Sequence, residues 1–390
     1  MKLLLYSHFF APSVGGVETI VLSLARGLAG LRDSSGGPQF EITLTTQTPA
    51  GDYDDSANPF RTIRRPGFLQ LETVVRNADV VHAAGPALAP LLLSLLARKP
   101  FVVEHHGFQT ICPNGQLLIE PAGMPCPGHF MAGRQAECLR CNLNQGWVGS
   151  YKLWVLTFVR RFLCARATAN ITPTRWLGDL LQLPHVSAIP HGLEIIEPVS
   201  NSEPSPGRPV IVFQGRLVTT KGVRLLFAAA RLLREQNRNF ELLIIGDGPE
   251  RESLEQFVRD SELESRVCFA GRLNGTQLDA ALARAFAVVV PSLGGEVFGL
   301  VIAENMLRAL PIVASDIGAF IELLGGSGLT FRTGDAAALA ASLGRLLDEP
   351  SLAANLGRRA RERALHFCDK SRMIEAHARV YRDVYAAAKA

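Results

Sequence analysis

The chain has 390 residues, of which 47% are hydrophobic and 19% are charged, and its formal net charge is +4. This composition excludes wholesale disorder, and the length allows two or three domains of roughly 150 residues each. The charge is too small to indicate a nucleic-acid partner. No signal-peptide pattern precedes the first strand, and the longest apolar run, residues 87–97, is about half of the ~20 residues that span a bilayer. We therefore expect a cytoplasmic protein, for which peripheral contact with the inner face of the membrane stays open.

The first half of the chain alternates short apolar strands with helical stretches. Buried strands are predicted at residues 2–7, 41–46, 78–85, 100–106, 167–174 and 186–192. A helix with apolar residues at helical spacing follows the glycine pair Gly15-Gly16, and another is predicted over residues 86–99. This alternation predicts a parallel sheet with helices on both faces.

Residues 107–146 interrupt this alternation. They are rich in Gly, Pro and Cys and follow neither a helical nor a strand period, which predicts a long irregular insertion. Four of the seven cysteines are clustered there, at Cys112, Cys126, Cys138 and Cys141. Only the last two have the C-x2-C spacing of a metal site. Structural zinc, free thiols and disulfides are the alternatives for this cluster, and zinc is the first of them.

A helix with many aromatic side chains is predicted after the insertion, over residues 145–166. Its aromatic residues and cations are Trp147, Tyr151, Trp154, Phe158, Phe162, Lys152, Arg160, Arg161 and Arg166. One interpretation is an ordinary amphipathic helix that packs on the sheet. The other is a surface that faces a membrane or an acceptor.

The second half repeats the strand–helix alternation after a linker. Residues 197–209 are rich in Pro and Ser and non-periodic, so they separate a predicted N-terminal domain, 1–196, from a C-terminal domain, 210–370. Strands are predicted at residues 208–216, 240–248, 266–272, 285–292 and 311–316. Ligands of open α/β sheets bind beyond the carboxyl ends of the strands, so we expect a site in the strand-to-helix turns, at a cleft between the domains.

Two cations follow the first strand of the second half. Arg216 comes directly after that strand, and Lys221 precedes Gly222 at the start of the next helix. With the positive end of a helix behind them, the two side chains would make a diphosphate clamp. The alternative is that both are surface charges.

Two glutamates, Glu296 and Glu304, have seven residues between them in the segment PSLGGEVFGLVIAENMLRALPIVAS. The first follows a glycine pair, and the second lies in an apolar helix, where an unpaired carboxylate is costly to bury. A helix N-terminus suits phosphate, and a carboxylate beside it can hold sugar or ribose hydroxyls. The segment therefore predicts a nucleotide-sugar site, and the alternative is a loop acid and a half-exposed helix acid.

These segments together resemble a known family. The motifs GGVE, HG, GR followed by KG, GDGP and E-x7-E occur in the order found in the retaining glycosyltransferases of family 4, over nearly the whole chain. The resemblance implies the α/β GT-B fold, in which two Rossmann-like domains face a cleft. The C-terminal domain would hold mainly the donor and the N-terminal domain mainly the acceptor. It also implies a C-terminal helix, residues 371–390, that crosses back to the first domain.

The resemblance assigns roles to individual residues. Arg216 and Lys221 would hold the donor diphosphate, so that catalysis needs no cofactor; Glu296 would contact the donor sugar, Glu304 would bind the ribose, and His106 would lie near the donor sugar. The other implied donor-binding positions are Gly15, Gly16, Gly246, Arg272, Leu273, Phe298, Gly299 and Leu300.

The implied reaction is transfer of a glycosyl group from a nucleotide-diphosphate sugar to a hydroxyl of a glycan or lipid-linked acceptor, with retention of configuration. Its implied setting is polysaccharide or lipopolysaccharide biosynthesis in a bacterial envelope. Two departures concern the acceptor side. Many relatives have an acid where this chain has Gly107, and many have Pro-Asn-Gly where it has Pro190-His191-Gly192. A nucleotide-sugar epimerase of GT-B fold and a non-catalytic nucleotide- or glycan-binding protein are the alternatives.

Overall fold

The computed structural model of the protein describes residues 1–13, 15–199 and 207–389. The chain forms two compact units. Unit 1 comprises Met1–Gly115, Gly128–Leu193 and Cys368–Ala390, and unit 2 comprises Gln116–Pro127 and Glu194–Phe367.

Strands and helices are numbered here in chain order. The strands are β1 Lys2–Ser7, β2 Glu41–Thr46, β3 Arg61–Arg64, β4 Val80–Ala84, β5 Phe101–Glu104, β6 Leu118–Ile119, β7 Met124–Pro125, β8 Ala169–Thr172, β9 Val186–Ala188, β10 Val210–Gln214, β11 Glu241–Ile245, β12 Val267–Gly271, β13 Ala285–Val290, β14 Ile312–Ser315 and β15 Leu329–Phe331. The α-helices are α1 Gly16–Gly30, α2 Phe68–Asn77, α3 Leu88–Leu96, α4 Gln135–Cys141, α5 Gly146–Cys164, α6 Arg175–Leu181, α7 Val223–Glu235, α8 Arg251–Asp260, α9 Gly275–Leu282, α10 Leu300–Leu307, α11 Gly318–Leu324, α12 Ala336–Asp348, α13 Pro350–Phe367 and α14 Lys370–Lys389.

Unit 1 is built on a parallel sheet of seven strands in the order β3-β2-β1-β4-β5-β8-β9. Leu3, Leu4 and Leu5 of β1 are buried, as are Val80 and Val81 of β4. Continuous apolar runs of this kind are typical of parallel strands that are covered on both faces. The strand order reverses between β1 and β4, as in doubly wound sheets.

Unit 2 has a parallel sheet of six strands in the order β12-β11-β10-β13-β14-β15. Ile211 and Phe213 of β10 share a core with Phe227 of α7, Val289 of β13 and Leu339 of α12. The order again reverses at the first strand of the unit, here between β10 and β13, so a ligand crevice is expected at their carboxyl ends. The predicted α/β class with two Rossmann-like sheets is confirmed.

The last helix, α14, belongs to unit 1. Its Tyr381 is fully buried, and the phenolic oxygen lies 2.9 Å from Nδ1 of His82 on β4. The division into units also assigns residues 116–127 to unit 2, whereas the predicted N-terminal domain, 1–196, includes them. The predicted domain boundaries stay predictions, and residues 200–206 of the predicted linker lie outside the described residues.

The predicted insertion contains more regular structure than its composition indicated. It carries the antiparallel pair β6–β7 and the helix α4. Strands of two residues and a helix of seven are too short to produce a periodic pattern. Within the described ranges, no helix combines the length and the apolar character that crossing a bilayer requires.

Candidate active site

The predicted donor-binding residues of unit 2 gather around the carboxyl ends of β10 and β13. These strands are hydrogen-bonded neighbours, with Phe213 paired to Val289. Arg216 follows β10, and Glu296 follows β13, so the sheet brings together two turns that are about 80 residues apart in the chain.

Lys221 and Glu296 form an ion pair at this point. Lys221 Nζ lies 2.5 Å from Glu296 Oε1, and Ser292 Oγ donates a hydrogen bond of 2.9 Å to the same oxygen. The Glu296 side chain is only 12% exposed, whereas Lys221 keeps 31% of its side chain exposed. An ammonium has three donors, so Lys221 can hold the carboxylate and a further anion together.

Backbone contacts fix the two turns against each other. Leu293 N donates to Thr220 O at 2.7 Å. Gly222 has φ +67°, and a Cβ there would overlap the carbonyl oxygen of Pro291. Only glycine fits this position without a shift of the backbone, and the close approach places Lys221 beside Glu296.

A third segment of unit 2 supports the Glu296 turn. Gly295 N donates to Gln116 O at 2.6 Å, and a Cβ on Gly294 would lie 2.8 Å from that same oxygen. No motif in the sequence connects Gln116 with this turn, so the contact could not be predicted from the sequence. The glycine pair is explained by the need to admit the Gln116 backbone.

Arg216 occupies the neighbouring turn and is exposed. No ion pair involves it among the described residues, so its charge is available to an anion. The turns after β10 and β11 touch, because Leu217 N donates to Asp247 O at 3.0 Å and a Cβ on Gly246 would overlap Gly215 O. Gly246 is therefore explained first by packing between turns.

Glu304 is half-buried on α10. Burial raises the pKa of its carboxyl, and the charge of Arg308 acts in the opposite direction. Arg308 also binds Asp279, with Nη2 and Oδ1 3.1 Å apart. Asn305 on the same helix donates to Gln214 Oε1 at 3.0 Å, which joins α10 to the end of β10. Glu304 is thus held at the crevice in a site that disfavours its charge.

Three of the predicted donor-binding residues, Phe298, Gly299 and Leu300, lie at the start of α10. Gly299 is the N-cap with φ +100°, and a Cβ there would lie 2.8 Å from the Phe320 ring. Phe298 is buried, with its ring stacked on that of Phe367. Its side chain serves the core, so any ligand contact from this segment would use backbone N–H groups.

Arg272 and Leu273 follow β12, the edge strand of the sheet. Arg272 is exposed, and Gly246 N donates to Gly271 O at 2.7 Å, so this turn lies beside the Gly246 turn. Among the described residues, no side-chain hydrogen bond or ion pair joins Arg272 or Leu273 to Lys221, Glu296 or Glu304.

In unit 1, the predicted residue His106 belongs to a buried cluster around Glu104. Glu104 ends β5 and is completely buried. Nε2 of His106 lies 3.6 Å from Glu104 Oε2, so Nδ1 is the ring nitrogen left for a substrate. Burial alone would raise the pKa of Glu104, but its interactions with the imidazoles of His106 and His377 hold it well below its usual range.

Sequence reasoning missed Glu104, His82 and His377 as members of one cluster. The available signal was an acid inside the apolar strand segment FVVE, where a charge needs a partner.

Gly15 and Gly16, also in unit 1, stand where α1 begins, after β1. Gly15 is the N-cap in extended conformation, and a Cβ there would lie 2.5 Å from Glu18 Oε2.

The four clustered cysteines are divided between the units. Cys112 Sγ lies 2.9 Å from Asn114 Oδ1, and Asn114 Nδ2 lies 3.6 Å from Cys141 Sγ. Cys138 and Cys141 are buried on α4, whereas Cys126 belongs to unit 2. The zinc site stays a prediction.

Comparison with known proteins supplies independent information. The model of the family "Glycosyl transferases group 1" matches residues 197–363. A phosphatidyl-myo-inositol mannosyltransferase of Mycolicibacterium smegmatis is 34% identical over 381 residues, which cover 96% of this chain and 91% of that protein. A glycogen synthase of Mycobacterium tuberculosis is 30% identical over 247 residues, which cover 61% of this chain and 59% of the synthase.

Solved structures share the architecture. Sucrose-phosphate synthase from Thermosynechococcus elongatus superposes with a TM-score of 0.74 at 21% identity, over 99% of both chains. HepE of Anabaena, in complex with UDP-glucose, superposes with a TM-score of 0.73 at 18% identity, over 98% of this chain and 100% of HepE. The predicted GT-B fold is confirmed.

Proposed function

The chain belongs to the glycosyl transferases of group 1, and on that premise we propose that it transfers a glycosyl group from a nucleotide-diphosphate sugar to a hydroxyl acceptor with retention of configuration. The observation that carries the proposal is the Lys221–Glu296 ion pair beside the exposed Arg216, at the strand-order reversal of unit 2. The solved HepE complex with UDP-glucose supports a donor of this class.

The two cations suit the diphosphate of the donor. When the bond between sugar and diphosphate breaks, negative charge develops on the departing phosphate oxygens. Fixed positive groups that already point at those oxygens stabilise the transition state without rearranging. Lys221 is preorganised because Glu296 holds its ammonium, and Arg216 has its backbone fixed at the end of a sheet strand.

Glu296 and Glu304 suit the hydroxyl groups of the same ligand. Oε1 of Glu296 is taken by Lys221 and Ser292, which leaves Oε2 as an acceptor for a sugar hydroxyl. Glu304 has lost part of its hydration through burial, so ribose hydroxyls would return hydrogen bonds to a carboxylate that lacks them. The predicted roles of His106, Gly15, Gly16, Arg272 and Leu273 toward the donor stay predictions.

The ion pair also bears on how configuration is retained. A carboxylate that is held by an ammonium and a hydroxyl is a weakened nucleophile, which argues against a covalent intermediate on Glu296. We favour attack by the acceptor hydroxyl on the same face from which the diphosphate departs. The acceptor proton would then pass to the leaving phosphate oxygen.

The acceptor class is proposed from unit 1. Helices α2, α3 and α5 are neighbours, and each exposes large apolar side chains: Phe68, Leu69, Leu92, Leu96, Trp147, Tyr151 and Phe162. Lys152 on α5 and Arg166, two residues after the end of this helix, are also exposed. An apolar surface with adjacent cations suits the interface of an anionic membrane. We propose a lipid-linked acceptor, reached by peripheral contact at that membrane.

The test begins with a panel of nucleotide-diphosphate sugars. A true donor raises the melting temperature of the protein, because it binds the folded state. Incubation of that donor with lipid extracts or glycans should then give a product whose anomeric configuration, read by NMR, equals that of the donor. Donor consumption that yields only an isomeric nucleotide sugar would indicate an epimerase. Binding without any turnover, across all acceptors, would indicate a binding protein.

A further inference from the structure

A buried cluster of histidines surrounds the Glu104 carboxylate in unit 1. Nε2 of His82, His106 and His377 lies 3.3, 3.6 and 3.6 Å, respectively, from Glu104 Oε2. Nδ1 of His191 lies 3.8 Å from Oε1. The five side chains are at most 8% exposed, so hardly any bulk water reaches the space between them.

These contacts are ill suited to hydrogen bonds between the side chains. Both Glu104 oxygens and Nε2 of His82, His106 and His377 are buried without a hydrogen-bond partner among the described residues. Buried polar atoms in native proteins are nearly always satisfied, and exceptions call for an additional species such as an ion. The cluster therefore contains several buried polar atoms whose hydrogen-bonding capacity the described side chains do not satisfy.

The contacts of His377 also fix which of its ring nitrogens carries a proton. Its Nδ1 lies 2.8 Å from the carbonyl oxygen of Met373, which can only accept, so Nδ1 carries a proton. In the neutral ring Nε2 then directs its lone pair at the Glu104 carboxylate. A histidine that binds a metal usually donates its other ring N–H to a backbone carbonyl or a carboxylate, so His377 is held in the tautomer that suits a position beside an ion at Glu104.

We propose that Glu104, His106 and His191 bind a divalent transition-metal ion, with His377 and His82 adjoining it. One ligand atom from each of the first three lies within 4.8 Å of the other two. Bonds of about 2.0–2.2 Å around a tetrahedral zinc ion place neighbouring ligand atoms roughly 3.3–3.6 Å apart. The His106–Glu104 and His191–Glu104 distances of 3.6 and 3.8 Å need only a small contraction.

The ligand chemistry selects the ion class. Imidazole with one carboxylate suits zinc, iron, nickel and copper, whereas magnesium and calcium prefer oxygen ligands throughout. The carboxylate supplies one negative charge against the charge of the ion.

The ion would join segments that are distant in the chain. Glu104 ends β5, His191 follows β9, and His377 on α14 faces the same carboxylate. Coordination through Nε2 of His106 would keep its proton on Nδ1. Because all of these residues belong to unit 1, the inference is independent of the proposed donor chemistry in unit 2.

Cobalt(II) is the probe of choice, because its visible spectrum reports its ligands. Full-length protein is treated with chelator, dialysed and titrated with Co2+ alone. We expect one Co2+ per chain at this site, seen as ligand-field bands without a thiolate-to-cobalt charge-transfer band; a charge-transfer band would report Co2+ at the cysteine cluster. A Cys138→Ser/Cys141→Ser variant should bind equally well, which separates this site from the cysteine cluster.

Substitutions of the ligands complete the test. His191→Asn removes one proposed ligand and puts a smaller polar side chain in its place; Co2+ affinity should fall by more than the about 10–100-fold that loss of an outer-shell partner costs. His185→Asn, the same change at an exposed site of unit 1, should leave binding and the Co2+-induced rise in melting temperature intact. Glu104→Gln should resemble His191→Asn, and if it fails to fold, His191→Asn decides alone.

Three results would overturn the proposal. The first is wild-type protein that takes up less than stoichiometric Co2+. The second is unchanged Co2+ affinity in folded His191→Asn protein. The third is a charge-transfer band in the wild type that disappears, together with binding, in the cysteine variant.

Discussion

At the scale of single residues, Lys221 carries the sharpest expectation. Lys221→Ala removes the cation that faces Glu296 Oε1 and, in the proposed chemistry, the donor diphosphate. We expect kcat to fall about 10²–10³-fold, as it does when a hydrolase loses one preorganised donor. The fold should persist, because the turn is also held by the Leu293–Thr220 backbone bond.

The measurement is steady-state transfer with the donor found in the panel. Arg345→Ala, which removes an exposed cation of unit 2 paired only with Glu349, is the matched control and should leave kcat unchanged. Near-normal turnover of Lys221→Ala would contradict the clamp.

Glu304 should show a conflict between stability and binding. Its pKa is raised in the folded protein, so the native state holds this proton more tightly than the unfolded chain does. Stability therefore falls as pH rises from the unfolded pKa through the higher folded one, and the cost is complete above both. Glu304→Gln should raise the melting temperature at pH 7, and the gain should shrink on acidification to about pH 4.

The same substitution should weaken binding of the donor, since a hydrogen bond to a charged group contributes about 1.5–3 kcal/mol. Calorimetric titration should show a roughly tenfold or greater loss of donor affinity at pH 7. Glu264→Gln, on an exposed loop, is the control for both measurements. A Glu304→Gln protein that is less stable at pH 7, or that binds donor normally, would refute the assignment.

Some site residues were predictable from the sequence, and others were not. Lys221 and Glu296 stand in strand-to-helix turns, and parallel strands place such turns at one edge of the sheet, so their convergence could be predicted. Glu104 could be noticed as an acid in an apolar strand, but its partners could not be predicted, because they come from β4, from the region after β9 and from α14. Only the folded sheet brings these segments to one carboxylate.

At the scale of elements, substitution of Gly222 tests how the turns that carry Lys221 and Glu296 are joined. Gly222→Ala adds both the strain of a residue at φ +67° and an overlap with Pro291 O. Gly275→Ala adds only the strain, since Gly275 has φ +46° and open space around its Cβ position. The αL strain costs about 1–2 kcal/mol in either variant.

The overlap should destabilise Gly222→Ala by a further ~1–3 kcal/mol, as overpacking does. Urea unfolding of both variants measures the difference. Equal stabilities would show that the Lys221 and Glu296 turns can separate at little cost, and the fixed geometry of the ion pair would then be in doubt.

Strand prediction succeeded where strands are long and central. The predicted strands at 2–7 and 41–46 coincide with β1 and β2, and the strand predicted at 285–292 contains β13. The short strands β3 and β15 were not predicted. Both lie at sheet edges, where pairing on one side suffices and polar residues such as Arg61 and Thr330 are tolerated.

At the scale of the whole molecule, the chain uses one plan twice. Each unit has a parallel sheet whose order reverses at its first strand, and each places polar residues at the carboxyl edge near that reversal. In unit 2 these residues form an ion pair with an exposed cation beside it. In unit 1 they form a buried carboxylate surrounded by imidazoles. The repeated fold therefore does not determine the chemistry at each sheet edge, which depends on the side chains found there.

The exposed apolar helices of unit 1 yield the last expectation, which concerns the molecule at a membrane. Trp147 and Tyr151 on α5 expose 72% and 59% of their surface; the cation Lys152 lies on the same helix, and Arg166 follows its C-terminal end. Wild-type protein should co-sediment with vesicles that contain phosphatidylglycerol more than with phosphatidylcholine alone, and salt should weaken the difference.

Trp147→Ala/Tyr151→Ala should lower that vesicle affinity about tenfold or more, because burial of each large apolar side chain contributes about 1.5–3 kcal/mol. Ile321→Ala removes a half-exposed apolar side chain from unit 2 and should change nothing. With a water-soluble acceptor analogue the double variant should keep wild-type turnover, since its substitutions lie outside unit 2. Equal sedimentation of wild type and double variant would remove the membrane from the proposed function and leave the donor chemistry untouched.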